Sequence, residues 1–296
     1  MNTSVVDFVR AASTEISTHD EDLLPTLTSK LPSGMVMYVA HTPKASVEDV
    51  VRVAIKAQSA GFRASPHIVA RRLPSEHVLK DALRQLSDAG VEQVLLIAGD
   101  LERPLGKFTS TLEVLDTGLL ETAGIQRIGV AGHPEGHKSI GAEAMLAALR
   151  YKQAFGVRTG IKVHIVTQFG FNPDAVCAWD RRLTEAGITL PVHVGIAGPT
   201  PLPKLIKFAL QCGVGASLHS FAKNPAAIAS LARLATTADE MLLGLIRGRA
   251  EYSGSRLAQP HFYAFGGTVA TATWLRAVAD GSFTVQPDGR KFVVNA

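Results

Sequence analysis

The sequence is short of cysteine, of aromatic residues and of long apolar or basic runs. Its two cysteines, Cys177 and Cys212, form no Cys-x-x-Cys motif, so we expect reduced thiols in a cytoplasmic protein. No run of lysine and arginine exceeds two residues and aromatics make up 6% of the chain, which argues against a nucleic-acid groove. No apolar run approaches the roughly 20 residues that span a bilayer, and the first residues lack a signal-peptide pattern. We therefore expect small-molecule partners rather than nucleic acid or membrane.

The rest of the composition is that of an ordinary globular protein. Of the 296 residues, 46% are hydrophobic and 19% are charged, which is typical of a soluble domain. The formal net charge of +4 is mild and would suit an anionic small ligand without demanding one. The length allows one large α/β domain or two smaller ones.

Eight apolar runs alternate with segments of helical periodicity. Parallel strands that are buried on both faces produce such runs, and strict alternation over about 280 residues predicts a single (β/α)8 TIM barrel domain over residues 1–296. An open doubly wound sheet is the competing fold, but no Gly-x-Gly-x-x-Gly follows the first strand. The predicted strands are Arg10–Ile16, Met35–Ala40, Arg63–Ala70, Gln93–Ala98, Arg127–Ala131, Lys162–Gln168, Pro191–Ile196 and His261–Phe265.

Capping residues mark several of the helices between these strands. Ser46 and Ser75 precede helical patterns as N-caps, and Asn172 and Thr200 each precede a proline in a predicted first turn. Residues 109–124 also show helical periodicity. A helical insertion is predicted between residues 214 and 259, before the last strand. The tail is predicted to form a hairpin around residues 287–289, which would cover an edge or contact a second copy, so a homo-oligomer stays open.

Two carboxyl groups stand out at or near strand ends. Glu15 lies within an apolar strand, and burying a carboxylate is costly unless it is paired or protonated; the alternative is an exposed edge position. Asp100 follows Ala98-Gly99 and is either a second acid of the site or a simple turn cap. Because the carboxyl ends of barrel strands carry the chemistry of this fold, both are candidate catalytic residues.

Histidines and an amide follow later strands. His133 and His137 lie four residues apart, as in a helical metal site, but Pro134 and Gly136 disfavour a helix and no further ligands complete a tetrahedral set, so we predict no metal. His67 and His164 are better explained as core or loop histidines. Gln168 precedes Phe169 and Phe171, where its amide could bind a heterocycle. Without a Gly-x-Ser-x-Gly motif or a P-loop, the residues favour general-acid chemistry on a polar heterocycle.

Several of these stretches, in chain order, resemble the methylenetetrahydrofolate reductase family. The family typically has a glutamate in its first strand, Arg-Gly-Asp after the fourth and Tyr-Pro-Glu-x-His after the fifth. Its sixth strand ends in Ile-Thr-Gln, its seventh in Pro-Gly-Ile, and its last contains His-Phe-Tyr. The matching stretches here are Ser13–Ser17, Ala64–Val69, Ile97–Asp100, Gly129–His137, Ile165–Asp174, Val192–Pro199 and His261–Phe265.

The resemblance implies a role for each matching residue. Glu15 would be the general acid that protonates N10 of methylenetetrahydrofolate, which opens the five-membered ring to an iminium ready for hydride. Asp100 would be a second catalytic acid, near both flavin and pterin. The implied cofactors are FAD and NADH or NADPH, and the implied setting is one-carbon metabolism and methionine biosynthesis. The implied cofactor-binding residues are His67, Asp100, His133, Glu135, His137 and Lys152, and the implied substrate-binding residues are Glu15, Gln168, Phe169 and Tyr263.

The departures from the family pattern concern the flavin and the folate tail. The arginine before Gly-Asp is Ala98, the tyrosine before Pro-Glu is His133, and the Leu-Asn-Arg after His-Phe-Tyr is replaced around Phe265. The resemblance therefore leaves three readings open besides a flavoenzyme: hydride transfer from NAD(P)H without flavin, a non-redox folate-binding methyl-transfer protein, and a barrel lyase that acts on another substrate.

Overall fold

In the computed structural model, eight strands form a closed barrel in sequence order, and the strand pairs whose register is described are parallel. The predicted (β/α)8 TIM barrel is thereby confirmed. The structure describes residues 2–137, 139–200, 205, 208 and 237–295. The barrel strands are β1 (Ser13–Ser17), β2 (Val36–Ala40), β3 (Arg63–Val69), β4 (Gln93–Ile97), β5 (Arg127–Gly132), β6 (Lys162–Thr167), β7 (Val192–Ala197) and β8 (Leu257–Tyr263).

Helices occupy the intervals between the strands. Among the described residues, no helix is long and apolar enough to cross a membrane. The α-helices are α1 (Asn2–Arg10), α2 (Leu24–Lys30), α3 (Val47–Ser59), α4 (Glu76–Asp88), α5 (Thr111–Leu115), α6 (Leu119–Thr122), α7 (Ala142–Thr159), α8 (Pro173–Glu185), α9 (Ala238–Glu251) and α10 (Thr268–Ala279).

The predicted helix starts at Ser46, Ser75 and Asn172 are confirmed. Each side chain accepts a hydrogen bond from a backbone N–H of the first turn, which satisfies a donor that the helix itself leaves unpaired. The predicted start at Thr200 leads into residues outside the described part of the chain. Most of the predicted insertion, residues 214–236, also lies outside it, while α9 is helical as expected.

The predicted boundaries of three elements are wrong. The first strand begins at Ser13 because Arg10 ends α1, whose apolar side chains bury one face at helical spacing. The segment 109–124 forms two helices, since Gly118 adopts φ 69°, a left-handed conformation that interrupts the helix. The last strand runs from Leu257 to Tyr263 rather than from His261 to Phe265. It does not reach Phe265, because Phe265 has φ 46° and cannot continue an extended chain.

The C-terminal tail is the predicted hairpin. Strands β9 (Phe283–Val285) and β10 (Phe292–Val294) pair antiparallel. The Phe292 ring stacks on Trp274 of α10 with centroids 5.7 Å apart, and its backbone N–H donates to the Asp239 carboxylate at 3.0 Å. The tail is therefore held against α9 and α10 of this same chain.

Contacts within the chain fall into two compact units. The first, which we call the Glu15 unit, comprises Ser13–Ala131 and Ala148–Ile165; the second, the Gln168 unit, comprises Met1–Ala12, Gly132–Ala147 and Val166–Ala296. The single-domain assignment over residues 1–296 stays a prediction.

Candidate active site

Glu15 is a buried acid of the Glu15 unit. It lies in β1, in register with Tyr38 of β2, and its side chain is 15% exposed. Burial, and secondarily the negative charge of Asp20, raises the pKa of Glu15 from 4.5 to about 8, because a low-dielectric surrounding disfavours the charged form. The carboxyl group is therefore protonated at neutral pH, which is the state that a general acid needs.

His67 of β3 is the neighbour of this acid. Its Nε2 atom lies 3.6 Å from Oε2 of Glu15, and its side chain is 10% exposed. Burial, and secondarily the charge of His41, lowers the pKa of His67 to about 3. The separation alone would suit an ion pair, but burial disfavours both charges and 3.6 Å exceeds a hydrogen bond. We therefore read the contact as one between a neutral carboxylic acid and a neutral imidazole.

A second buried polar pair joins Tyr38 and His164. The Tyr38 hydroxyl and His164 Nε2 are 2.9 Å apart, and both side chains are buried. Burial raises the pKa of Tyr38 and lowers the pKa of His164 to about 4. The Tyr38 ring also meets the His67 ring edge to face, with centroids 6.3 Å apart. His164 is thus a core histidine, as expected, and Tyr38 connects it to the ring beside Glu15.

Asp100 differs from Glu15 in its surroundings. It lies in the loop after β4 with 73% of its side chain exposed, and Arg72 Nη2 donates to its Oδ1 at 3.1 Å. Arg72 itself is 10% exposed and also donates to the backbone oxygen of Pro43 at 3.1 Å. The structure places a guanidinium beside Asp100 even though position 98 is alanine. The catalytic and flavin-binding roles of Asp100 stay predictions.

Sequence reasoning missed Arg72. The signal that could have revealed it is the pair Arg71-Arg72 directly after the apolar strand β3, where two cations follow a strand end. Arg71 donates hydrogen bonds to two backbone oxygens in the segment after β4, that of Leu101 at 3.0 Å and that of Thr109 at 2.8 Å. Together the two arginines fix the loop that carries Asp100.

Lys152 is a buried cation on α7. Burial lowers its pKa from 10.5 to about 8, and no carboxylate of the described residues pairs with it. A bound anion would compensate the cost of this buried ammonium group. Lys152 can therefore hold a phosphate of a cofactor, which is the role that the family resemblance implies.

In the Gln168 unit, Gln168 directly follows β6. Its backbone N–H donates to Gly132 O at 2.8 Å, and its side-chain Oε1 accepts from the N–H of Phe169 at 3.1 Å. One acceptor position of the amide oxygen is thus in use within the protein. We therefore expect the amide to bind a heterocycle chiefly through its N–H donors rather than as a fully free bidentate group.

Phe169 and Tyr263 lie in one aromatic cluster. Their ring centroids are 5.8 Å apart, and the Tyr263 hydroxyl donates to Thr167 O at 2.9 Å. The Phe265 ring lies 4.7 Å from Phe169. Gly195 of β7 permits this packing, since a Cβ atom there would lie 2.5 Å from Thr167 O and 2.7 Å from the Tyr263 ring. These rings form an apolar cluster, and Phe169 directly follows Gln168 in the sequence.

The loop after β5 carries the predicted His133, Glu135 and His137. The two histidine rings meet edge to face with centroids 4.9 Å apart, and His137 Nδ1 accepts from Ser139 N–H at 3.2 Å. Burial raises the pKa of Glu135, opposed by a hydrogen bond from the Phe171 backbone. Within the described residues, no three His, Cys, Asp or Glu side chains are placed to hold a metal ion.

Comparison with solved structures finds likenesses of low identity. Dihydropteroate synthase from Thermus thermophilus in complex with 6HMPPP matches 93% of this chain and 94% of its own, with 14% identity and a TM-score of 0.48. N-acetylneuraminate lyase from Proteus mirabilis matches 82% of this chain and 84% of its own, with 16% identity and a TM-score of 0.44. Likenesses at this level carry no information about activity.

Comparison with protein families is decisive for the assignment. The family described as methylenetetrahydrofolate reductase matches residues 27–220, which is well over half of the 296 residues. The resemblance seen in the sequence motifs is thereby confirmed. By this match the chain belongs to the methylenetetrahydrofolate reductase family, and with it to the enzymes of folate metabolism.

Proposed function

We propose that this protein interconverts 5,10-methylenetetrahydrofolate and 5-methyltetrahydrofolate by hydride transfer, with NADH or NADPH as the reductant and Glu15 as the general acid. The observation that supports this most is the Glu15 carboxyl group, buried in β1 with its pKa raised to about 8, in a chain of this family. A carboxylic acid that stays protonated at pH 7 can protonate a weakly basic nitrogen.

In the reducing direction, the Glu15 O–H bond breaks as a bond to folate N10 forms. The bond between N10 and the bridging methylene then breaks, its electrons stay on N10, and the methylene carbon becomes an N5 iminium. A hydride adds to that carbon and gives the methyl group. Each turnover therefore consumes one hydride from the reductant and one proton from Glu15, which must be replaced from solvent.

Other residues would bind the folate. Gln168 would donate its amide N–H groups to the pterin, and Phe169 and Tyr263 would supply apolar surface for its ring. The Asp100 carboxylate would stabilise positive charge on the iminium, since opposite charges attract more strongly once substrate excludes water.

For the cofactor, Lys152 and His137 are the residues that would hold FAD. A buried ammonium group suits a phosphate, whereas Ala98 supplies no cation of its own and Glu135 adds an acidic group to the loop of His137. FAD held there would supply two-electron redox chemistry. Because the fit is incomplete, direct transfer from NAD(P)H without flavin is the second candidate function.

A turnover assay with purified protein tests the proposal. Methylenetetrahydrofolate, NADH or NADPH, and added or omitted FAD are compared for wild type and Glu15→Gln, with Glu92→Gln as a matched control at an exposed glutamate. We expect Glu15→Gln to lose about 10²–10⁴-fold in kcat and the control to retain it. Flavin bands in the visible spectrum distinguish the two cofactor schemes.

Two results would contradict the proposal. Near wild-type turnover by Glu15→Gln would exclude this residue as the acid. An inactive wild type that still binds methyltetrahydrofolate, with both nicotinamides and with FAD present, would favour the non-redox methyl-transfer function instead.

A further inference from the structure

Glu15 and His67 lie side by side, and the Nε2 atom of His67 has no hydrogen-bond partner among the described residues. This Nε2 atom is buried, and the nearest carboxyl oxygen of Glu15 is 3.6 Å away. By contrast, Nε2 of His164 is already engaged by Tyr38 at 2.9 Å. A movement of a few tenths of an ångström would bring Glu15 and His67 into hydrogen-bond contact.

We propose that Glu15 and His67 act as one proton-sharing unit, in which His67 takes up a solvent proton after each turnover and passes it to the Glu15 carboxylate. This inference rests on the proposed function, in which Glu15 gives up a proton in every reducing cycle. It assigns His67 a positioning role on the acid, whereas the sequence resemblance implied contact with a cofactor.

The chemistry follows from the change of charge on Glu15. Once Glu15 has protonated N10, a carboxylate lies beside the imidazole and favours its protonated form. A hydronium ion or buffer acid then loses a proton to the imidazole of His67, which becomes an imidazolium with an Nε2–H bond towards Glu15. That bond breaks as an Oε2–H bond forms on Glu15, which restores two neutral groups. The cycle takes one proton from solvent and leaves no net charge in the interior.

The neighbouring groups Asp20, His41 and Tyr38 each make hydrogen bonds to groups other than Glu15 and His67. The Asp20 carboxylate, which acts on Glu15, accepts hydrogen bonds from the backbone N–H of Ser17 at 2.8 Å and from its hydroxyl at 2.7 Å. His41, which acts on His67, contacts Ala45 O through Nε2 at 3.0 Å. The Tyr38 ring meets His67 edge to face, and its hydroxyl is committed to His164.

Infrared titration of the Glu15 carboxylic acid tests the pairing without relying on activity. The acid C=O band that Glu15→Gln removes is followed against pH in wild type, in His67→Gln and in His164→Gln, which is a matched change at another buried histidine. In His67→Gln the protonated acid loses the imidazole as an acceptor for its O–H, and the glutamine amide can donate to the carboxylate. Both changes should lower the pKa of Glu15. We expect the midpoint to fall by about one pH unit or more in His67→Gln and to stay in place in His164→Gln.

Kinetics test the relay itself. At pH 6, where Glu15 starts protonated, the first turnover of His67→Gln should match wild type, whereas steady-state kcat should fall by about tenfold or more. Imidazole added to the buffer should restore part of the loss. A merely structural defect would slow the first turnover as well and would not respond to imidazole.

The outcomes are separable. An unchanged Glu15 midpoint in His67→Gln overturns the proposal. If His67→Gln does not fold, ¹⁵N NMR of the wild-type imidazole replaces it: the His67 ring nitrogens should change with the Glu15 midpoint, and this change should vanish in Glu15→Gln. Independence of the two titrations would also overturn the proposal. A shifted midpoint in a protein with no reductase activity would instead contradict the proposed function while the pairing stands.

Discussion

Replacing Glu15 with glutamine should stabilise the protein at neutral and alkaline pH while it removes activity. Burial raises the pKa of Glu15 from 4.5 to about 8, and each pKa unit corresponds to about 1.4 kcal/mol. Ionising this group in the folded protein therefore costs about 5 kcal/mol relative to ionising it in the unfolded chain. Because glutamine has nearly the same shape and no charge to lose, the variant avoids that cost.

The direction of the pH dependence follows from proton linkage. Between pH 4.5 and 8 the folded protein holds the Glu15 proton and the unfolded chain does not, so the contribution of Glu15 to stability falls with rising pH. His67 has the opposite effect: its pKa is lowered from 6.5 to about 3, so its contribution is present above pH 6.5 and is lost as pH falls. The two slopes cancel between pH 4.5 and 6.5.

Urea unfolding of wild type and Glu15→Gln between pH 5 and 9 measures this difference, with Glu92→Gln as the exposed control. The variant should gain about 3 kcal/mol over wild type at pH 7 and about 5 kcal/mol at pH 9. From pH 5 to 6.5 its stability should rise, because only the His67 slope remains. A difference that does not change with pH, or none at pH 9, would refute the reasoning that Glu15 is buried and protonated.

Three further predictions concern the other parts of the candidate site. Gln168→Ala should weaken binding of methyltetrahydrofolate by about 1–3 kcal/mol in calorimetric titration, since pterin acceptors lose their donors; unchanged affinity would place the pterin elsewhere. Gly195→Ala should lower the free energy of unfolding by about 1–3 kcal/mol, because its Cβ meets Thr167 O and the Tyr263 ring; urea unfolding with unchanged stability would contradict this packing. FAD should be largely lost on desalting, and His137→Ala should reduce what remains; stoichiometric flavin after dialysis would contradict weak binding.

The architecture could be predicted from the sequence because each element carries its own signal. Buried parallel strands show as uninterrupted apolar runs, as in β4, and caps such as Ser46 mark helix starts. The misplaced boundaries arise where signals overlap. The apolar face of α1 runs directly into β1. Phe265 is of a residue type that is common in strands, but its backbone has a positive φ that only tertiary packing imposes.

The site could be predicted only in part. Glu15 is visible in the sequence because a carboxyl group interrupts an apolar strand, and its burial agrees with that expectation. Its contact with His67 is not visible, since β1 and β3 are not neighbouring strands and only the folded sheet brings these side chains together. The pairing of Arg72 with Asp100 likewise depends on the turn after β3, whose path no local pattern specifies.

Burial keeps the ionisable groups around Glu15 uncharged at neutral pH. Burial raises the pKa values of Glu15 and Tyr38 and lowers those of His67 and His164, so all four groups are neutral at pH 7. A charge formed on any one of them is costly, and the cost is smallest when a neighbour takes the compensating proton. Ionising buried Glu15 is costly, and this cost lowers the stability of the protein above pH 4.5. The same cost keeps Glu15 protonated at pH 7, so that its proton is available for N10. An acid that was solvated and ionised at pH 7 would stabilise the fold more and could not perform the proposed step.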